Sequence, residues 1–363
     1  MTTRTTLPVL AGLMTLLLYV PAARAEPYLA VQGGYKCGVC HTNPSGGGKR
    51  TTFGSAYAAG TLARTVLGNE DQFLSGEINR WLAIGGDLRA AYDDIDTPQQ
   101  DAQSEFAVSR GTLYAEVKLI PERLTLYVDQ QVAPGGSLNR EAYALVTADR
   151  GRYTIKAGKF FLPFGFRLQD DTAFVRQFTG INFDTPDQGL ELGIELDRWS
   201  AQLAVTNGTA GAPDNDSTKQ ASLRASYVDQ RWRLGISYNY NNAELGDREM
   251  QGVFAGLRTG SIAWLAEVDT ISDDLGAVQQ DALATLLEAN WRVAPGHNLK
   301  LSYEHYDPDE DVEANDRSRV SLVWEYWAFQ HFQSRIGLRT NDGVEALPLT
   351  NQDVFFAELH VYF

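Results

Sequence analysis

Phe355-Phe356-Ala357-Glu358-Leu359-His360-Val361-Tyr362-Phe363 ends the sequence with a period of two. In an extended strand Phe355, Ala357, Leu359, Val361 and Phe363 share one face, and Phe356, Glu358, His360 and Tyr362 the other. The first face is wholly apolar and the second is mixed. That division suits a strand with hydrocarbon on one side and a polar interior on the other.

The same alternation runs back through the chain. It pairs Leu82, Ile84 and Leu88 with Asp87 and Arg89, and Leu113, Ala115, Val117 and Leu119 with Arg110, Glu116 and Lys118. It recurs in Leu190, Leu192, Ile194 and Leu196 against Glu191, Glu195 and Asp197, in Trp232, Leu234, Ile236 and Tyr238 against Arg231 and Arg233, and in Phe332, Ile336 and Leu338 against Arg335 and Arg339. Half-buried strands of a soluble sandwich alternate too, so the connections have to arbitrate. About sixteen strands are expected between residues 82 and 363, and their connections switch strictly between short and long. Ile120-Pro121-Glu122, Asp149-Arg150-Gly151, Asp197-Arg198, Asp229-Gln230, Thr259-Gly260, Pro295-Gly296-His297 and Ala328-Phe329-Gln330 are short. The segments 94–105, 133–139, 161–188, 207–217, 242–248, 271–280, 307–316 and 341–351 are long. Strands of about ten residues with short turns on one side and long loops on the other predict an all-β chain, a 16-stranded antiparallel transmembrane β-barrel of porin type. Trp324, Tyr326, Trp327, Phe329, Phe332 and Phe363 fall on the short-turn side, where an interfacial aromatic girdle is expected. An even strand number puts both ends of the barrel on that side, the periplasmic one.

Composition agrees. The 363 residues include 33 Gly, 16 Tyr, 16 Phe and only 3 Met, a mix that favours strands. Residues 1–25 read as a signal peptide, with Arg4, an apolar stretch from Leu10 to Val20 too short to span a bilayer, and an Ala23-Arg24-Ala25 cleavage site. Cleavage removes two arginines and no acids from 31 basic and 46 acidic residues, so the formal charge of −15 becomes −17. A nucleic-acid partner is excluded by that charge, and cationic partners are favoured. No G-x-S-x-G or H-E-x-x-H is present, and no Gly-rich segment opens a helix, so hydrolase, zincin and nucleotide chemistry find no support.

Both cysteines lie in Cys37-Gly38-Val39-Cys40-His41. An exported pair of thiols could form a disulfide or a redox pair, but the adjoining histidine makes this the attachment motif of c-type haem: two thioether bonds from Cys37 and Cys40, and axial ligation of iron by His41. Asn43-Pro44-Ser45-Gly46-Gly47-Gly48-Lys49-Arg50 is turn-rich, either a linker or a backbone able to lie close to a porphyrin. Asn69 with Gln72 resembles a capping box, which predicts a short helix with Phe73, Ile78 and Trp81 on its apolar face. Residues 26–80 are therefore expected to form a monohaem cytochrome unit, too small to supply its own core, and residues 81–363 the barrel.

Together these parts resemble the fused monohaem cytochrome–porins of outer membranes, which include iron oxidases of extracellular electron transfer. The resemblance rests on the stretch around Cys37, Cys40 and His41, on Gly158-Lys159-Phe160-Phe161-Leu162-Pro163-Phe164-Gly165-Phe166-Arg167 with Asp170-Asp171, and on terminal Phe363, which also resembles the assembly signal of outer-membrane proteins. It implies a small cytochrome c plug in the barrel lumen, one covalent haem c, and electron transfer between an extracellular metal ion such as Fe(II)/Fe(III), or another redox partner, and periplasmic c-type cytochromes or another carrier. Hydrocarbon about 30 Å thick is too wide for efficient direct tunnelling, so such a conduit needs a redox centre within it.

Several alternatives stay open. One is a solute-conducting porin with a tethered periplasmic haem acting as a redox or gas sensor; another is a haem peroxidase. The second axial ligand is undetermined, with a Lys, an Asn, water or an open site all compatible with the sequence. After leader removal the one methionine is Met250, at an extracellular strand end. His360 points inward near the periplasmic mouth, and is either that ligand or a lumenal hydrogen-bonding residue. His297 and His331 lie in turns, and His305 faces outward. Segment 161–188, with Asp170, Asp171, Asp184 and Asp187, either folds into the lumen, holding the plug or presenting carboxylates to a metal ion, or is a plain solvated loop. Acidic 307–316 either attracts cations or is simply solvated.

Overall fold

The computed structural model describes residues 26–68, 73–214, 216–243, 246–274, 276 and 279–363; the leader and the Asn69–Gln72 capping box lie outside them. Sixteen strands form the wall: β1 Leu82–Asp96, β2 Gln103–Ile120, β3 Leu124–Ala133, β4 Leu138–Ala148, β5 Tyr153–Phe160, β6 Asp187–Glu195, β7 Trp199–Thr206, β8 Gln220–Val228, β9 Trp232–Ala243, β10 Gly246–Thr259, β11 Ile262–Asp274, β12 Gln279–Ala294, β13 His297–Asp307, β14 Arg317–Phe329, β15 Phe332–Asp342 and β16 Asp353–Tyr362. Each pairs antiparallel with its successor. The ring closes where β16 pairs with β1, from Asp353 opposite Asp96 to Tyr362 opposite Asp87. At this seam Phe363 and Gly86 exchange backbone hydrogen bonds of 3.1 and 3.2 Å. A Cβ at Gly86 would sit 2.5 Å from the Phe363 ring, so the terminal aromatic needs a glycine beneath it.

The wall turns its apolar residues outward. Leu113, Leu190, Leu192, Ile236, Leu301, Leu338 and Leu359 are exposed, whereas Arg89, Arg110, Asp129, Glu141, Lys156, Glu191 and Glu325 are buried in the lumen. A soluble protein of this size would not present so continuous an apolar exterior to water; a hydrocarbon surround satisfies it. Exposed aromatics band it at two heights. Trp199, Trp232, Trp264, Trp291 and Trp324 lie towards the short-turn rim, and Phe106, Tyr238, Tyr303 and Phe355 towards the other.

Three local expectations are corrected. Trp327 is not part of the girdle: it shares inward parity with Val323 and Glu325 and is buried against Tyr28 and Leu62. The expected long connections at 94–105, 242–248 and 271–280 are half or more strand, because polar hairpin arms can go on pairing their backbones beyond the hydrocarbon, where sidedness no longer marks them. Residues 73–81, which the expected helix would have included, contain no helix. Residues 73–76 are irregular and Glu77–Asn79 is a strand paired with β1, so the end of the expected 26–80 unit belongs by hydrogen bonding to the wall.

The lumen is filled from both ends. From the short-turn rim come α1 Pro27–Gly33, α2 Cys37–Cys40 and α3 Thr52–Ala56, the last running on into a wider helical turn, Tyr57–Leu62. Small as it is, this segment is held by the wall's inward groups. Tyr28 donates to Glu325 Oε2 at 2.6 Å, Asn43 to Glu141 Oε1 at 2.9 Å, Lys156 to Asn43 Oδ1 at 2.9 Å, and Lys49 pairs with Glu116 at 3.3 Å. The chain then leaves along β14, with Arg64 N donating to Trp327 O. From the other side the β5–β6 connection folds inward and carries the short α4, Phe174–Gln177. It is not a solvated loop. Pro163 O accepts from Ser222, Phe166 N donates to Glu267, Phe174 N donates to Glu304, and Arg339 pairs with Asp170, so it crosses the lumen from β8 to β15. Tyr28, Val31 and Leu62 of the first segment and Phe166, Leu168 and Val175 of the second meet in one apolar cluster with Phe254 and Leu265 of the wall.

Candidate cofactor site

Where the two fillings meet, they leave a partly open cavity. Cys37, Cys40 and His41 line it together with Tyr35, Tyr57, Leu62, Phe166 and Trp327. The motif's local geometry follows from its sequence. Lys36 is extended and α2 is a single turn, so both half-buried thiols are carried on one turn with His41 at its end. The thiols are not joined to each other. His41 forms an isolated backbone bridge to Arg50, closing the intervening turn-rich run into a loop.

That run is a buried cradle rather than a linker. Gly46, Gly47 and Gly48 all have positive φ. A Cβ at Gly48 would meet the Tyr127 hydroxyl at 2.2 Å, and the neighbouring Lys49 N–H donates to that same hydroxyl at 2.8 Å. Thr51 ties the far side down: its hydroxyl donates to Val39 O at 2.7 Å and accepts from Gly54 N at the start of α3.

The residues present fit a c-type haem. The His41 ring rests against the Gly47 and Gly48 backbone with its Nδ1 buried. Burial, aided by the Arg50 charge, lowers its pKa to about 4, so the imidazole is neutral and able to donate to a metal. The cavity is apolar on its broad surfaces, yet Arg50, Arg167, Arg224 and Arg233 all border it. Arg224 Nε donates to Gly165 O at 2.8 Å and Arg233 to Tyr35 O at 2.6 Å. Arg167 gives one bond, to Leu162 O at 2.9 Å, and its Nε and Nη1 are buried without partners. Each such donor costs about 1–3 kcal/mol until it is met, so the cavity is suited to a ligand with an apolar body and an anionic group. The porphyrin propionates have that chemistry. Sequence reasoning missed this set. Arg224 and Arg233 carried one clue, inward parity on neighbouring strands, and Arg167 another, its place in the Gly158–Arg167 motif.

His360 lies inward and borders the same cavity, as expected. Both its ring nitrogens are committed, however: Nε2 is 2.7 Å from Asp87 Oδ2 and Nδ1 is 3.0 Å from Gln333 Oε1. The structure gives it the hydrogen-bonding role. Met250 is buried in a separate apolar cluster with Phe164 and Ile271. His297 receives a hydrogen bond from Trp324 at the rim, His331 sits in a turn with φ 66°, and His305 is partly exposed near Asp316. The loop aspartates act as clamps. Asp170 holds Arg339, Asp171 lies 3.9 Å from Arg110, and Asp187 accepts from Gly208 N at 2.5 Å. Among the described residues no three or more His, Cys, Asp or Glu gather where they could hold a metal ion, and the acidic 307–316 loop is mostly exposed.

No protein-family profile matches the chain, and no curated protein matches its sequence. Solved structures do resemble its fold. OmpT, an outer membrane protein of Vibrio cholerae, superposes with a TM-score of 0.61 at 15% identity, covering 78% of this chain and 99% of its own. An anion-selective porin from Comamonas acidovorans gives 0.61 at 10% identity over 78% and 99%. The outer membrane channel DcaP of Acinetobacter baumannii gives 0.61 at 11% identity over 78% and 97%. The chain therefore has a porin-like fold, a closed antiparallel barrel of sixteen strands.

Proposed function

We propose that this chain is an outer-membrane barrel holding one covalent haem c in its lumen and transferring electrons between the two faces of the membrane. The observation that carries the reading is the cavity in which Cys37, Cys40 and neutral His41 meet apolar walls and four arginines, one of which, Arg167, has two donors unmet. Haem bound there would supply a one-electron centre. Cys37 and Cys40 would hold it covalently, His41 would ligate its iron, and Arg167, Arg224 and Arg233 would receive its carboxylates. The packed lumenal clusters keep bulk water away from that centre. The short-turn rim then faces the periplasm, where a c-type cytochrome or other redox carrier is the partner, and the long-loop rim meets an extracellular metal ion or other redox partner. Lipid meets the wall.

A pyridine haemochrome spectrum of the detergent-purified protein tests attachment. Reconstitution into liposomes enclosing an oxidised acceptor, with an impermeant reductant outside, tests transfer: the acceptor should become reduced only when the protein is present. Absence of haem, or haem without transfer, defeats the proposal.

A second reading is a solute-conducting porin with the haem as a tethered sensor. The likeness to an anion-selective porin and to an outer membrane channel favours it. Planar-bilayer recordings separate the two, since a sustained open-pore current without trans-membrane reduction belongs to the second reading alone.

A further inference from the structure

Building on the electron-transfer reading, we infer that the short-turn rim is a docking surface for a small redox protein with an acidic face, which seats over an apolar centre at Val39 and Phe53. The centre adjoins the attachment motif. Lys36, just before α2, donates to the Leu196 and Trp199 carbonyls of the β6–β7 turn, so the helical turn carrying Cys37 and Cys40 is held level with that rim. Val39 is 40% exposed and Phe53 44%. The Phe53 ring meets Tyr35 edge-on at 5.4 Å and stacks on Tyr57 at 6.4 Å, and both tyrosines border the cavity. An apolar group left in water against the cofactor site is suited to being covered in a brief protein encounter.

Charge selects the occupant. At this rim Arg152 pairs with Asp149, Arg198 with Asp229 and Lys36 with Glu195. Arg64, Arg80, Arg123, Arg150 and Arg231 stay exposed with no carboxylate partner among the described residues, against two such acidic side chains, Glu122 and Asp197. The arginines are spread around the mouth: Arg80 precedes β1, and Arg123, Arg150 and Arg231 occupy the β2–β3, β4–β5 and β8–β9 turns. The exported chain as a whole carries −17, and the long-loop segment 307–316 holds six acids and no base, so a basic rim runs against the chain's overall charge. A ring of cations about an apolar centre steers an acidic partner into register and rejects a basic one. Lipid phosphates are the rival occupant of the arginines, but they do not account for Val39 and Phe53, which belong to the lumenal segment inside the wall. That the partner is a redox carrier rests on the reading above; that it is acidic rests on the rim alone.

Binding of an acidic plastocyanin to the protein in phosphatidylcholine nanodiscs, read by biolayer interferometry, tests the surface without any turnover. Affinity should fall about ten-fold between about 10 and 100 mM salt, as the screening length shrinks from about 30 to 10 Å. Arg123→Gln, Arg150→Gln and Arg231→Gln combined should weaken low-salt binding about ten-fold, and the same three positions changed to Lys should retain it. Phe53→Ser should weaken binding at every salt concentration with its salt dependence unchanged. Absent or salt-insensitive binding by the parent protein, or full affinity in the Gln variant, overturns the inference. So does a Gln variant altered only in its preference for phosphatidylglycerol nanodiscs, which gives the arginines to lipid. If Phe53→Ser fails to assemble, the arginine variants decide. A negative haemochrome with binding intact defeats the haem reading, and with it the partner's redox role, while the docking surface stands.

Discussion

The barrel wall and the filling of its lumen obey opposite rules. On the wall, Glu191 and Leu192 are neighbours in β6 with contrary requirements. Glu191 is buried in an ion pair with Lys156 at 2.8 Å, while Leu192 is 54% exposed on the outer surface. Every second residue repeats that choice, so the wall is specified by a local alternation. The filling has no such period. Its segments are short helices and irregular runs that hold their places through single contacts with distant wall residues. The lesson is that the wall is specified residue by residue along each strand, whereas the lumenal segments take their places from contacts with distant wall residues.

The sharpest test of that asymmetry is Cys37→Ala. Stable haem attachment should be lost, with the haemochrome signal falling to background after denaturing extraction, while the barrel still shows heat-modifiable migration in gels. A barrel that fails to assemble would mean the filling is integral to building the wall. Next in size is Glu191→Leu, which leaves the Lys156 ammonium buried without its partner carboxylate. Denaturant unfolding in lipid vesicles should show a loss of about 3–5 kcal/mol. Leu192→Arg, one residue away, should cost about 2–4 kcal/mol by placing a charge against hydrocarbon. If it costs nothing, that face does not meet lipid. Smallest is Gly48→Ala, about 1–3 kcal/mol of strain from φ 64° and the Tyr127 hydroxyl. Its effect should appear in the absorption spectrum and in haem accessibility more than in barrel stability, and an equal loss in the wall would blur the distinction between the two regions.

Much of the wall was legible in the sequence because its cause is local. The period-two pattern of Phe355–Tyr362 appears in the structure with every predicted face, and all sixteen strands fall close to their expected positions. The errors came where the pattern stops being informative. Strand arms beyond the hydrocarbon lose their sidedness, and Trp327 was grouped by its neighbourhood when its parity pointed inward. Cys37, Cys40 and His41 lie within five residues, so the sequence brings them together, and the structure places all three on one cavity. His360 was placed on the correct face, but its ties to Asp87 and Gln333, 273 and 27 residues away, leave no trace in a local reading.

By itself, then, the sequence determined which residues the wall turns outward and how many times the chain crosses, because each depends on neighbours within a few positions. Only the tertiary structure decided that segment 161–188 folds inward and that Arg167, Arg224 and Arg233 border one cavity with Cys37, Cys40 and His41. Closing the ring at Tyr362 and Asp87 encloses a volume whose contents come from positions far apart in the chain, and the charge balance of that volume exists only once it is enclosed.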